Sequence, residues 1–159
     1  MSNDYLVGYS PGMQPERCDI DHSARLIQAG SDIVLQVHYT PNGKTAMADQ
    51  TKVGLTLAEE RPAKLFMDAV AASWNWTIPP GDSNYEAQAK LTFGDPVELL
   101  SLQPHMHLRG KDMTVRLIYP SGESETLLSV PHYDFHWQII YYLKKPLLLP
   151  RGTRVEVTA

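Results

Sequence analysis

The chain has 159 residues, a length typical of one domain or of two small halves, and it can bury a core without a disulfide or a structural metal ion. Its formal net charge is −4 and its basic residues are scattered, so no surface of the kind that binds nucleic acid is predicted. The single cysteine, Cys18, excludes an intrachain disulfide and a CxxC motif. The sequence contains neither a membrane-spanning apolar run nor a secretory signal.

Short strands separated by turns are predicted along most of the chain. Turn signals rich in Pro, Gly, Asn and Asp recur at 41–43, 79–82, 94–96, 120–122 and 150–152. Between them, apolar and polar residues often alternate with the period of two that is typical of a half-buried strand. In chain order, the predicted strands are 33–39, 85–93, 97–103, 113–119, 135–143 and 154–157. This pattern predicts an all-β sandwich.

One segment differs from this pattern. Residues 59–73 are rich in Ala, Leu and Met, and Pro62 stands where a first helical turn tolerates proline. A short helix is one interpretation, and we take the segment as the joint between two subregions. The alternating pattern continues to Ala159, which indicates a longer parent protein.

The histidine pair of His105-Met106-His107 is the clearest candidate for chemistry. Side chains two residues apart on a strand lie on one face, so both imidazoles can bind one metal ion. Such a pair also arises by chance, and two half-exposed histidines that bond to their neighbours are the simpler alternative. The cupin pattern needs a glutamate shortly after the second histidine, and residues 108–111 contain none.

The sequence pattern does not show which of the other four histidines, if any, binds a metal ion. His38 lies in an apolar predicted strand, where a hydrogen-bonded core histidine is commoner than a metal ligand. His132 is predicted in a loop, His136 alternates with aromatic residues, and His22 is predicted to be solvated. The sequence contains no phosphate-binding glycine loop, GxSxG elbow, HExxH motif or EF-hand loop, so the enzyme classes that depend on them lose their main signatures.

Three motifs, taken in chain order, resemble one enzyme family. They are LQVHY at 35–39 followed by a turn, IPPG at 78–81, and HMHLRGK at 105–111. Together they resemble the copper type II ascorbate-dependent monooxygenases, the group of peptidylglycine α-hydroxylating monooxygenase and dopamine β-hydroxylase, and most closely their bacterial relatives. The resemblance covers most of the chain and depends on the order of the motifs rather than on the histidine pair alone.

The resemblance implies two jelly-roll-like β-sandwich domains, each with one copper ion, on either side of a solvent-filled cleft. It implies that His105 and His107 are ligands of the C-terminal-domain copper, where O₂ and a reductant such as ascorbate serve to hydroxylate a substrate C–H bond. His38 matches the third histidine of the other, electron-transferring copper, and Gln36 matches a glutamine that connects the two sites. Imidazole binds both Cu(I) and Cu(II), which agrees with these roles.

The sequence departs from the family pattern at three places. The methionine that completes the oxygen-activating site would lie past Ala159, and the histidine pair that joins His38 would lie before residue 1. We therefore expect two incomplete copper sites and a chain that is inactive or nearly so by itself. Gln103 stands where peptide-amidating members carry an arginine that binds the substrate carboxylate, so a peptide ending in glycine is not the expected substrate.

The sequence therefore predicts a fragment of a copper-dependent monooxygenase with an all-β, jelly-roll-like, antiparallel β-sandwich fold. Residues 1–68 are interpreted as the end of the N-terminal β-domain, and residues 69–159 as most of the C-terminal one. By analogy with the family we expect a periplasmic or extracellular location. Unpaired strand edges are expected to bind a second copy, which gives a homo-oligomer through β-edges.

Two alternatives stay open at this point. One is a non-catalytic β-sandwich that binds copper or zinc for storage or sensing, with stoichiometric metal and, in a protein restored to full length, no O₂ consumption. The other is a structural β-sandwich whose histidines serve packing and hydrogen bonding. The sequence identifies neither the substrate nor the physiological reductant.

Overall fold

A computed structural model of the chain describes residues 5–46 and 48–159. The described residues contain eight strands and one short 3₁₀ helix, Ile20–His22, but no α-helix. The strands are β1 Ser23–Ala24, β2 Lys64–Leu65, β3 Gln88–Thr92, β4 Val97–Leu102, β5 Met113–Ile118, β6 Ser124–Val130, β7 Tyr141–Leu149 and β8 Arg154–Thr158. The predicted all-β class is confirmed.

Two antiparallel sheets form the C-terminal part of the fold. One has four strands in the order β3-β8-β5-β6, and the other pairs β4 with β7. Their apolar faces meet in a core built on Val115, Leu117, Leu149 and Val155, with further apolar side chains of β4 and β7 packed against it. The predicted sandwich is therefore present in this part of the chain.

Alternation places β5 at the centre of this core. Met113, Val115 and Leu117 are buried, whereas the residues between them face outward or are only half-buried. Because successive side chains of a strand point to opposite faces, this sequence has one register that buries its apolar set. Leu117 is completely buried between the sheets.

The strand predictions for 85–93, 97–103, 113–119 and 154–157 are confirmed, with ends shifted by a few residues. The strand predicted at 33–39 is wrong, because these residues are exposed and pair with no strand in the described part of the chain. A strand needs a neighbour for its backbone N–H and C=O groups, and a segment rich in β-branched and aromatic residues does not by itself supply one.

Three further differences concern the loops and joints. The strand predicted at 135–143 begins only at Tyr141, since residues 135–140 form a turn and an irregular segment beneath the site described below. The segment 59–73, whose composition also allows a short helix, contains no helix and contributes β2, which pairs in parallel with β1. β6 was not predicted. No helix among the described residues has the length and apolar character needed to cross a membrane.

Candidate metal site

The two histidines of the HMH motif lie in the connection that follows β4 and not on the strand itself. β4 ends at Leu102, and residues 103–107 have no strand pairing. The expectation that a strand presents both rings is therefore wrong, although the rings do converge. Their centroids are 5.2 Å apart and their planes make an angle of 82°. Two imidazoles this close, both exposed, can direct one nitrogen each at a single ion with bonds of about 2 Å.

A tight turn directly after the pair fixes its C-terminal side. The Gly110 N–H donates to the carbonyl of His107 at 2.9 Å, with Leu108 and Arg109 at the corner. A Cβ atom at Gly110 would lie 2.7 Å from the Met106 Cβ and 2.7 Å from the Tyr133 Cδ1. The close approach of these side chains therefore requires glycine at this position.

Gln138 is the buried polar group beneath the site. It is only 1% exposed, and its Oε1 lies 2.6 Å from the Nδ1 of His105. Its Nε2 donates to the carbonyl of Phe135 at 2.7 Å, and its backbone N–H donates to the carbonyl of Pro11 at 2.8 Å. The side chain and the backbone N–H of Gln138 are thus bonded to its own turn and to two distant segments, and one of these bonds fixes a histidine ring.

Tyr133 holds the backbone between the two histidines. Its hydroxyl accepts a hydrogen bond from the Met106 N–H at 3.0 Å and donates one to the Met106 carbonyl. Its own N–H donates to the carbonyl of Lys111 at 2.8 Å, just past the turn. Burial raises the pKa of the Tyr133 phenol, so the hydroxyl keeps the proton that it donates.

Sequence reasoning singled out neither Gln138 nor Tyr133. A signal for Gln138 was present, because it is a polar residue inside the apolar run from Trp137 to Ile140. Such a residue becomes buried only if it finds hydrogen-bond partners. The partners of Tyr133 are backbone groups of a distant loop, and no local pattern marks them.

His38 lies apart from the HMH pair. It lies on the exposed, unpaired segment at 33–39, and in the part of the chain that the structure describes it makes no hydrogen bond or ion pair. Among residues 5–46 and 48–159, no group of three His, Cys, Asp or Glu side chains could hold a metal ion. The structure thus brings His105 and His107 together and does not bring His38 to them. His22, His132 and His136 are exposed and lie outside the pair.

Gln103 is part of the hydrogen-bond network next to the pair. Its Nε2 donates to the Met13 Sδ at 3.0 Å and to the Gln138 carbonyl at 3.4 Å. The Met13 sulfur also accepts the N–H of Ser10 at 3.1 Å. Residues 10–13 from the N-terminal segment therefore contact the surroundings of the histidine pair.

The donor set fits a copper ion as a partial site. Imidazole nitrogen suits copper in both oxidation states, and a ligating histidine ordinarily gives its second ring nitrogen to a hydrogen-bond partner. Gln138 supplies that partner for His105. The pair thus offers two nitrogen ligands on an exposed loop, with room for other ligands on the solvent side.

Residues 66–158 match the family model described as copper type II ascorbate-dependent monooxygenase, C-terminal domain. The matched range includes the histidine pair, its turn, Tyr133, Gln138 and both antiparallel sheets. Comparison with curated proteins gives no match, and neither does comparison with solved structures.

Proposed function

The chain belongs to the copper type II ascorbate-dependent monooxygenase family, and we propose that its His105 and His107 bind the copper ion of a C-terminal monooxygenase domain. The observation that carries this proposal is the convergence of two imidazole rings with centroids 5.2 Å apart, one of them bonded at Nδ1 to a buried amide. The division into residues 1–68 and 69–159 stays a prediction. The matched range begins at residue 66.

The mechanism assigns separate tasks to the residues around the pair. When bound, copper supplies one-electron redox chemistry with O₂ and a reductant such as ascorbate, for hydroxylation of a substrate C–H bond. His105 and His107 bind the ion through their ring nitrogens. Gln138 orients the ring of His105, and Tyr133 fixes the Met106 backbone that separates the two ligands. The chain thus sets the direction of the His105 ring and the spacing of the two ligands before the metal binds.

The polarity of the site argues against one substrate class. Gln103 is neutral, and its amide is bonded to Met13 and to the Gln138 carbonyl. A substrate carboxylate therefore finds no guanidinium at this position with which to form a paired, charge-assisted bond. We propose a substrate that is not anchored here by a terminal carboxylate.

His38 is proposed as a ligand of a second copper ion, the one that transfers electrons. It contributes a single exposed imidazole, and one imidazole is too few for a defined copper site. Copper binding at His38 therefore requires ligands from outside the described residues. We expect His38→Ala to leave copper binding at the HMH pair unchanged.

Electron paramagnetic resonance of the copper-loaded chain tests the proposed function. We expect a Cu(II) signal that ascorbate abolishes under argon. The His105→Ala/His107→Ala variant should lack this signal, and the His132→Ala control should keep it. A signal that persists with ascorbate, or that survives in the double variant, contradicts the proposal, and persistence with ascorbate favours a copper- or zinc-storing module.

Oxygen consumption tests whether the 159-residue chain turns over. The described residues bring only two imidazoles together, and no third His, Cys, Asp or Glu joins them. We therefore propose that this chain binds copper without sustained turnover. Ascorbate-dependent O₂ consumption well above that of His107→Ala contradicts this limit.

A second copy of the chain is proposed as a partner through strand edges. The segment at 33–39 exposes large apolar side chains, among them Ile33, Leu35 and Val34, the last of which is 88% exposed. Unpaired extended segments of this kind add readily to another strand. Light scattering at about 100 μM, a concentration at which interfaces of micromolar affinity associate, should give the mass of a dimer or larger. A monomer mass contradicts this proposal.

A further inference from the structure

The orientation of the Gln138 amide is determined by its neighbours. The carbonyl of Phe135 can only accept, so the atom 2.7 Å from it must be the NH₂ group of Gln138. The other atom of the amide, the carbonyl oxygen, then faces the Nδ1 of His105 at 2.6 Å. Because that oxygen can only accept, the Nδ1 must carry the proton. In neutral His105 the free lone pair is then on Nε2.

The turn at residues 10–13 packs against the segment that carries Gln138. Within the turn, the Met13 N–H donates to the Ser10 carbonyl at 3.0 Å. The Pro11 carbonyl accepts the backbone N–H of Gln138 at 2.8 Å. Next to it, Gly12 has φ +87°, and a Cβ there would lie 2.7 Å from the His136 carbonyl oxygen. The turn and the 136–138 backbone therefore pack too closely for any residue but glycine.

We propose that the turn at residues 10–13 positions the Gln138 amide, and through it holds His105 with its proton on Nδ1 and its Nε2 free for the metal ion. This inference rests on the proposed copper site. It assigns Gln138 and Gly12 as positioning residues, and Gly12 lies outside the range that matches the family model. Residues distant in sequence thereby set which nitrogen of His105 binds.

Nitrogen-15 NMR of the metal-free protein tests the inference without reference to copper. The chemical shifts of the two ring nitrogens of His105 report which of them carries the proton. In the unmodified chain we expect His105 almost entirely as the Nδ1–H tautomer. An equal mixture, or the Nε2–H tautomer, overturns the proposal before any variant is made.

Two variants of Gln138 separate positioning from packing. Gln138→Leu removes the acceptor and should move His105 to a mixture of tautomers. Gln138→Glu restores an acceptor oxygen, so it should restore the Nδ1–H tautomer even though it alters the bond to Phe135. Retention of a single Nδ1–H tautomer in Gln138→Leu overturns the role of Gln138.

A matched pair of glycine variants tests the turn. Gly12→Ala and Gly30→Ala both place alanine at a positive φ, +87° and +81°, but the new Cβ has no neighbour within 4 Å at Gly30. We expect the His105 nitrogen shifts to change in Gly12→Ala and to stay unchanged in Gly30→Ala. Equal shifts in both variants, or none in either, overturn the role of the turn.

Copper titrations then connect positioning to binding. Loss of a hydrogen-bond partner behind a metal ligand typically costs 10–100-fold in affinity, so we expect about that loss in Gln138→Leu and a smaller one in Gln138→Glu. Suppose that the His105 tautomer responds to the substitutions as expected, but neither the unmodified chain nor any variant binds copper at the pair. The positioning role of Gln138 is then supported, and the proposed copper function fails. If copper binds at the pair but the tautomer does not depend on Gln138, the positioning fails alone.

Discussion

The hydroxyl of Tyr133 is hydrogen-bonded to both backbone groups of Met106, accepting from its N–H at 3.0 Å and donating to its carbonyl. Met106 separates His105 from His107, so this one side chain determines the path of the chain between the two proposed ligands. Neither backbone group has a strand partner, because β4 has already ended at Leu102. Tyr133 therefore provides the hydrogen bonds that a neighbouring strand would otherwise have made to Met106.

Replacing Tyr133 by phenylalanine removes both bonds while keeping the ring. Because the Met106 N–H and carbonyl then lack their partner in a half-buried place, the free energy of unfolding should fall by about 1–3 kcal/mol. Denaturant unfolding measures this change. Tyr9→Phe is the control, since the Tyr9 ring is 83% exposed. An equal and small effect of both substitutions contradicts the assigned role of Tyr133.

Gly110→Ala should disturb the loop of the histidine pair at its C-terminal end. The added Cβ meets the Met106 Cβ and the Tyr133 ring at 2.7 Å, so the loop must move or strain by about 1–3 kcal/mol. Gly94→Ala is the matched control, because its Cβ would have no neighbour within 4 Å. Thermal unfolding of the two variants should show a lower midpoint for Gly110→Ala only. Equal midpoints would mean that the loop adapts without cost.

The sequence was sufficient for the class of the fold and for the strands whose alternation is strong. β5 illustrates this, since burying Met113, Val115 and Leu117 allows one register only. β6, Ser124–Val130, escaped prediction because it lies at the edge of its sheet, where several of its residues stay exposed on both faces and alternation is weak. The wrong strand at 33–39 shows the converse, since its apolar residues alternate only in part and no neighbouring strand pairs with them.

The candidate site was also predictable only in part. The spacing of His105 and His107 predicted that their rings could share an ion, and the rings do lie close together. Their supports, Gln138 and Tyr133, reach the pair across about 30 positions of sequence. Such contacts depend on how two loops fold over the end of the sandwich, and neither propensity nor periodicity encodes that arrangement.

The titration of Glu16 should make stability depend on pH. Burial raises the pKa of the Glu16 carboxyl above its usual value, and the neighbouring Arg25, 3.1 Å away, only partly opposes this. The folded protein thus holds this proton more tightly than the unfolded chain. The stability that it contributes is present below the unfolded-state pKa of about 4.3 and is lost as the pH rises through the folded-state value.

Glu16→Gln isolates this contribution, because its amide does not titrate. The unfolding free energy of the unmodified chain, relative to this variant, should fall as the pH rises above the unfolded-state pKa of about 4.3. Denaturant unfolding at several pH values measures the difference. A relative stability that rises with pH would mean that the ion pair with Arg25 outweighs burial.

The most direct test of the proposed metal site is a copper titration of the unmodified chain and of the His105→Ala/His107→Ala variant, with metal analysis of each. A second double variant, His132→Ala/His136→Ala, removes two exposed histidines outside the pair and serves as the matched control. We predict near-stoichiometric copper in the unmodified chain and in the control, and its loss in the His105→Ala/His107→Ala variant. No uptake by the unmodified chain, or uptake that is indifferent to loss of the pair, would contradict this prediction and leave the structural alternative.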